Sequence, residues 1–137
     1  MKIVINKCYG GFSLSPKAVQ LLSKKQGKEC YFFESKYNHK TGAREYVRLT
    51  NEFPTGLFWI AFSTEKPTEK NYNECRLDAR PKDRADQLLV QVVEELGEEA
   101  DGSCAELKVI DIPDDVEYTI EEYDGQEWVS EHHRTWQ

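Results

Sequence analysis

The opening of this chain leaves few arrangements open to it. Lys2 to Asn6 is short and β-branched, which suits a buried strand, and Ser15-Pro16 places an N-cap residue before the proline favoured at the first helical position. From Pro16 the apolar residues Ala18, Val19, Leu21 and Leu22 share one face, and Gly27 after Lys24-Lys25 supplies a left-handed stop with cations in the last turn. Between strand and helix stands Cys8-Tyr9-Gly10-Gly11-Phe12-Ser13-Leu14. Two consecutive glycines permit φ > 0 or a close backbone approach to a ligand, and the amides of the helix N-terminus point the same way. Gly10, Gly11, Phe12 and Ser13 are therefore candidates for an anion site that holds phosphate or carboxylate. The simpler reading is a tight turn with Phe12 and Leu14 as a hydrophobic staple, because two glycines are far less specific than a full nucleotide fingerprint.

Further along, Glu29 to Glu34 and Arg44 to Leu49 read as a strand pair around the loop Asn38-His39-Lys40-Thr41-Gly42. Leu57 to Phe62 is a continuous apolar run that predicts a buried strand. Residues 63–81 are polar, contain Pro67 and Pro81 and show no sustained period, which predicts an exposed connection. The clearest helix begins near Asp83: Ala85, Leu88, Leu89, Val92, Val93 and Leu96 follow amphipathic spacing, and Gly97 ends it. Glu94, Glu95, Glu98 and Glu99 oppose the dipole at its C-terminal end, as a solvated acidic face or a ligand or partner site would. Cys104 to Ile112 reads as a strand. Val116 to Tyr123 and Gln126 to His132 flank Asp124-Gly125, the strongest hairpin signal in the chain. The expected fold class is α+β: one domain over 1–137, with a largely antiparallel sheet of about six or seven strands and two helices packed on it.

A chain of 137 residues with 39% hydrophobic and 31% charged residues can bury a core without staples. Its four cysteines stand singly, without the paired spacing of a zinc site, and read as free thiols. No apolar run approaches a membrane span and no basic-then-apolar leader opens the sequence, so the expectation is a cytoplasmic protein with no membrane partner. A formal charge of −7 opposes duplex nucleic acid, although Lys36 to Arg48 and Arg76 to Arg84 are locally basic and suit a small anionic ligand.

Glu131-His132-His133-Arg134 gathers an acid, two imidazoles and a guanidinium. In a strand the two histidines face opposite sides, which argues against a shared metal, and no metal or cofactor is expected. Arg134 and Trp136 would share a face, and a guanidinium beside an indole suits a phosphate next to a purine; a tail with one docked tryptophan fits the spacing as well. No nucleophile elbow is present, and Cys8 with His132 or His133 pairs residue types only, so no catalytic residue is assigned.

Lys-Ile-Val-Ile-Asn-Lys-Cys-Tyr-Gly-Gly-Phe at residues 2–12, Leu89 to Gly97, and Glu121 to Trp136 with its Glu-Tyr-Asp-Gly-Gln-Glu-Trp and His-Arg-Thr-Trp segments resemble a family of small phage and prophage proteins. Size and acidity make the chain similar to the Thoeris anti-defence proteins that act as sponges. That resemblance implies sequestration of a cyclic ADP-ribose isomer or another cyclic nucleotide without cleavage, in a pocket formed where subunits of a homo-oligomer meet. It carries over no binding residue. The residues suggest Gly10, Gly11, Phe12, Ser13, Arg134 and Trp136 as the ligand set. The alternatives are a phosphodiester-cleaving enzyme using a carboxylate or His132 as general base, and an acidic inhibitor of a host protein.

Overall fold

A computed structural model describes residues 1–50, 53–55 and 58–131. Three helices and three antiparallel sheets, not the one sheet expected, make up a domain of the expected α+β class. Strand β1 (Lys2–Asn6) pairs with β6 (Leu107–Asp111), with Val4 opposite Val109. A second sheet runs β3-β2-β4-β5, formed by β2 (Tyr31–Asn38), β3 (Ala43–Arg48), β4 (Ile60–Phe62) and β5 (Arg76–Leu77). The third is the hairpin of β7 (Tyr118–Tyr123) and β8 (Gln126–Glu131). Its turn residues Asp124 and Gly125 have φ of 50° and 90°, the pair of left-handed conformations that a two-residue type I′ turn requires.

Helix α1 (Pro16–Lys25) begins where its signals place it: the Ser15 side chain accepts a hydrogen bond from the Ala18 amide, and Gly27 follows the C-cap at φ 76°. Helix α3 (Gln87–Leu96) starts a turn later than the apolar period suggests, because Asp86, not a residue near Asp83, caps it through the Leu88 amide. It buries Leu89, Val90, Val92 and Val93 against α1 and β1, and a 3₁₀ turn (Gly97–Ala100) leads out of it. The acidic residues at this end are largely neutralised across elements. Lys2 pairs with Glu94 at 3.1 Å, Lys25 with Glu95 at 2.8 Å, and Lys17 with Glu99 at 2.8 Å. This is the solvated face, laced to its neighbours by exposed ion pairs of small individual value.

Several expectations need correction. The strand count is eight among the described residues, and a short third helix, α2 (Tyr72–Cys75), joins the two longer ones. The apolar run ending at Phe62 pairs only from Ile60, while Phe58 is 87% exposed; Leu57 lies outside the described residues. Residues 63–81 are not a plain connection. They carry α2 and β5, and β5 closes the second sheet with Leu77 buried opposite Ala61. A two-residue strand has no periodicity to read, so only the pairing with β4 defines it. The strand read from Cys104 likewise starts at Leu107, because the Ala105 amide turns back onto the Gly102 carbonyl.

Candidate functional site

The glycine turn after β1 does adopt positive φ, 112° at Gly10 and 100° at Gly11, and its first amide is used inside the domain. The Gly10 N–H donates to the Asp124 carbonyl at 3.1 Å. Gly125 lies so close that a Cβ there would stand 2.2 Å from the Gly11 nitrogen and 2.6 Å from that of Gly10. The C-terminal hairpin turn thus packs against the backbone of both glycines.

Phe12 is only 5% exposed, and the Arg84 guanidinium carbon lies 3.6 Å from its ring centroid. That arginine also forks onto Glu127, with Nη1 to Oε1 at 2.7 Å and Nη2 to Oε2 at 3.1 Å, while its Nε donates to the Pro81 carbonyl. No ring face of Phe12 is left for a base. Gly10, Gly11 and Phe12 belong to the junction that joins β1 to the hairpin, with Phe12 buried, Gly11 half-buried and Gly10 exposed. Arg134 and Trp136, with His132 and His133, lie outside the described residues.

Asn6, fully buried at the end of β1, completes the junction. Its Nδ2 donates to the carbonyls of Cys8 and Gly125, both at 2.7 Å, and its Oδ1 accepts from the amides of Cys8 and Glu106. The free edge of β1 is satisfied without another strand: the Val4 amide donates to the Arg84 carbonyl at 2.9 Å, and the Asn6 amide to Glu127 Oε1 at 2.8 Å. Nothing in the spacing of Asn6, Arg84 and Glu127 reveals this network, because 121 positions separate its extremes.

Ser13 has a different place. It opens onto a surface groove of about 460 Å³ lined by Ser13, Ser15 and Pro16 from the start of α1, by Trp59, by Arg76 to Arg80, and by Asp101 to Ser103. Backbone bonds hold its rim: Leu14 N–H to Ala79 O, Ser15 N–H to Ala100 O, and Gly102 N–H to Ser13 O. Arg76 and Arg80 are exposed, and among the described residues neither guanidinium joins an ion pair; Arg76 rests beside the Tyr72 ring, 5.7 Å from its centroid. Trp59 is half-buried and meets Phe32 edge-on, with ring centroids 5.6 Å apart. Two guanidinium groups, an indole and two serines around one cleft can hold a phosphate-bearing planar molecule. The locally basic run Arg76 to Arg84 signals part of this in the sequence. Trp59 carries no signal beyond its apolar run.

Asp101 lines the same groove. Burial raises its carboxyl above the usual 3.8, a rise partly offset by the Leu107 amide that its Oδ1 accepts at 2.9 Å. A raised carboxyl pKa means that the folded state binds the proton more tightly than the unfolded chain, so the ionised group opposes folding at neutral pH. That penalty fades as pH falls through the raised value toward 3.8. Asp101→Asn, which keeps an acceptor for Leu107, should therefore hold or raise the melting temperature at pH 7 and remove this contribution to the acid-side profile. A clear drop at pH 7 in a differential scan would mean that the ionised carboxylate itself is needed.

Among the described residues no group of three or more His, Cys, Asp and Glu side chains could hold a metal, and no helix is long and apolar enough to cross a membrane. The four cysteines are free; burial pushes the Cys30 thiol up to about 12, so it stays protonated and inert. Comparison of the chain with protein-family models, with curated proteins and with solved structures found no match.

Proposed function

We propose that this chain binds and sequesters a phosphate-bearing nucleotide signal, of the cyclic ADP-ribose or cyclic oligonucleotide class, in the groove at the start of α1. One observation carries the reading: Arg76 and Arg80, unpaired among the described residues, stand around the same cleft as Trp59. The guanidinium groups take phosphate and the indole takes the base, a role the sequence reading gave to Arg134 and Trp136. The resemblance to phage anti-defence sponges supplies the biological setting, a host cytosol in which a signal is withdrawn without being cleaved. Because the groove is a surface cleft, the reading includes a homo-oligomer in which a second copy covers the bound molecule.

Calorimetric titration with cyclic ADP-ribose and with a cyclic dinucleotide tests the proposal. Arg80→Ala and Arg76→Ala should each weaken binding by about ten- to a hundredfold, the loss expected for one charge-assisted phosphate contact, with little change in melting temperature. Heating the loaded protein and analysing the released molecule separates the classes. Intact release supports a sponge, and an altered product supports the phosphodiesterase alternative. No binding of either probe, or full affinity in both arginine variants, overturns the assignment. Light scattering during the titration reports whether a second copy takes part.

A further inference from the structure

The outer face of the C-terminal hairpin is a second surface without a use inside the domain. From Val109 to Glu131 the chain carries nine acidic residues and no lysine or arginine. Glu127 is satisfied by Arg84, and Asp111 and Asp114 by the Met1 amino group. Among the described residues, Asp115, Glu117, Glu121, Glu122, Asp124 and Glu131 have no cationic partner; Glu121 stands on the outer face, Glu122 and Glu131 share the face of Glu127, and Asp124 is at the turn. The alternation of β7 and β8 puts Ile120, Val129 and Glu127 on one face and Glu121, Tyr123 and Trp128 on the other, with Glu121 directly opposite Trp128.

On that outer face Tyr123 is 70% exposed and Trp128 is 42% exposed. Tyr9, beside the glycine whose amide meets the hairpin turn, is exposed as well. The Trp128 indole is held in place: its Nε1–H donates to Glu121 Oε2 at 3.0 Å, and Ser130 Oγ donates to the same oxygen at 3.2 Å. Ordering an aromatic side chain before binding removes part of the entropy cost of association. Beneath it the hairpin is anchored by the Arg84–Glu127 pair and by the packing of Gly125 on the glycine turn.

We propose that this face is a docking surface for a basic protein segment, an extended stretch rich in arginine or lysine. Charge complementarity selects the occupant. Carboxylates attract the cationic side chains and set the rate of encounter, while Tyr123 and Trp128 offer ring faces to guanidinium or ammonium groups. A two-stranded ribbon with its aromatic residues spread over neighbouring pairs suits an extended chain better than one small cation. Nucleic acid is repelled by the same carboxylates.

The test is a calorimetric titration of the full chain with a synthetic peptide of alternating arginine and glycine, and with a glutamate-glycine peptide as control. The arginine peptide should bind, more weakly as salt rises, and the control should not. Trp128→Ala and Tyr123→Ala leave the net charge unchanged and should each weaken binding about three- to tenfold at an unchanged melting temperature. Glu121→Gln keeps an acceptor for the indole and should also weaken it. Equal affinity in all three variants would mean diffuse attraction to an acidic protein and overturns the docking surface, as does failure of the arginine peptide to bind. Self-association of the wild type that is lost in Trp128→Ala would assign the face to a second copy instead.

Discussion

Arg84→Ala should lower the free energy of unfolding by about 3 to 5 kcal/mol, measured by urea denaturation at pH 7. The mutation removes one partner of a buried ion pair, and Glu127, 7% exposed, would keep its charge with only the Asn6 amide to answer it. It also strips the cation from the face of Phe12 and the donor from Pro81. Set against a typical total stability of about 5 to 15 kcal/mol, such a loss leaves the domain marginal. The double variant Arg84→Met with Glu127→Gln should recover much of it. Neutral glutamine still offers an oxygen to Asn6, methionine fills the space over Phe12, and no unpaired charge stays buried. If the single variant were as stable as the wild type, the pair would be a bystander and the hairpin would be held by packing alone.

How far the sequence speaks for this fold depends on the range of the forces involved. Elements whose signals are local are legible in it: the Ser15-Pro16 start of α1, the Asp124-Gly125 turn and the strand Lys2–Asn6 each carry their cause within a few residues. Elements created by tertiary pairing are not. β5 is a strand only because Ala61 and Phe62 lie beside it, and Asp86 rather than an earlier residue caps α3.

The candidate site divides along the same line. Two glycines announce a special backbone conformation, which the chain adopts, but they do not say what approaches that backbone. A ligand and a hairpin turn both need the missing Cβ, and here it is Gly125 that packs against the glycine backbone. The sequence offers Phe12 as an aromatic for a base or as a hydrophobic staple with Leu14. Its partner proves to be Arg84, inside the domain. Of Gly10, Gly11, Phe12 and Ser13 only Ser13 reaches the groove, in company with Trp59, Arg76 and Arg80, which no short motif links.

Gly125→Ala should be strongly destabilising. At φ 90° a residue with a Cβ is strained by about 1 to 2 kcal/mol, and the new atom would also stand 2.2 Å from the Gly11 nitrogen, 2.6 Å from the Gly10 nitrogen and 2.9 Å from the Gly10 carbonyl carbon. All three are backbone atoms, so no rotamer change relieves the contact. Either the hairpin turn lifts away, breaking the Gly10–Asp124 bond and the Asn6 bond to the Gly125 carbonyl, or the glycine turn shifts and carries Phe12 with it. Overpacking of this kind adds about 1 to 3 kcal/mol, for a total of about 2 to 5 kcal/mol. Gly11→Ala separates the two causes. Its φ is 100° but a Cβ there meets nothing within 4 Å, so only the conformational strain of about 1 to 2 kcal/mol should appear. Thermal melts of both variants, with nucleotide titration of the folded fraction, give the comparison. A Gly125 variant no less stable than the Gly11 variant would separate the hairpin from the glycine turn. A Gly11 variant that folds well yet loses nucleotide affinity would return the turn to the binding site.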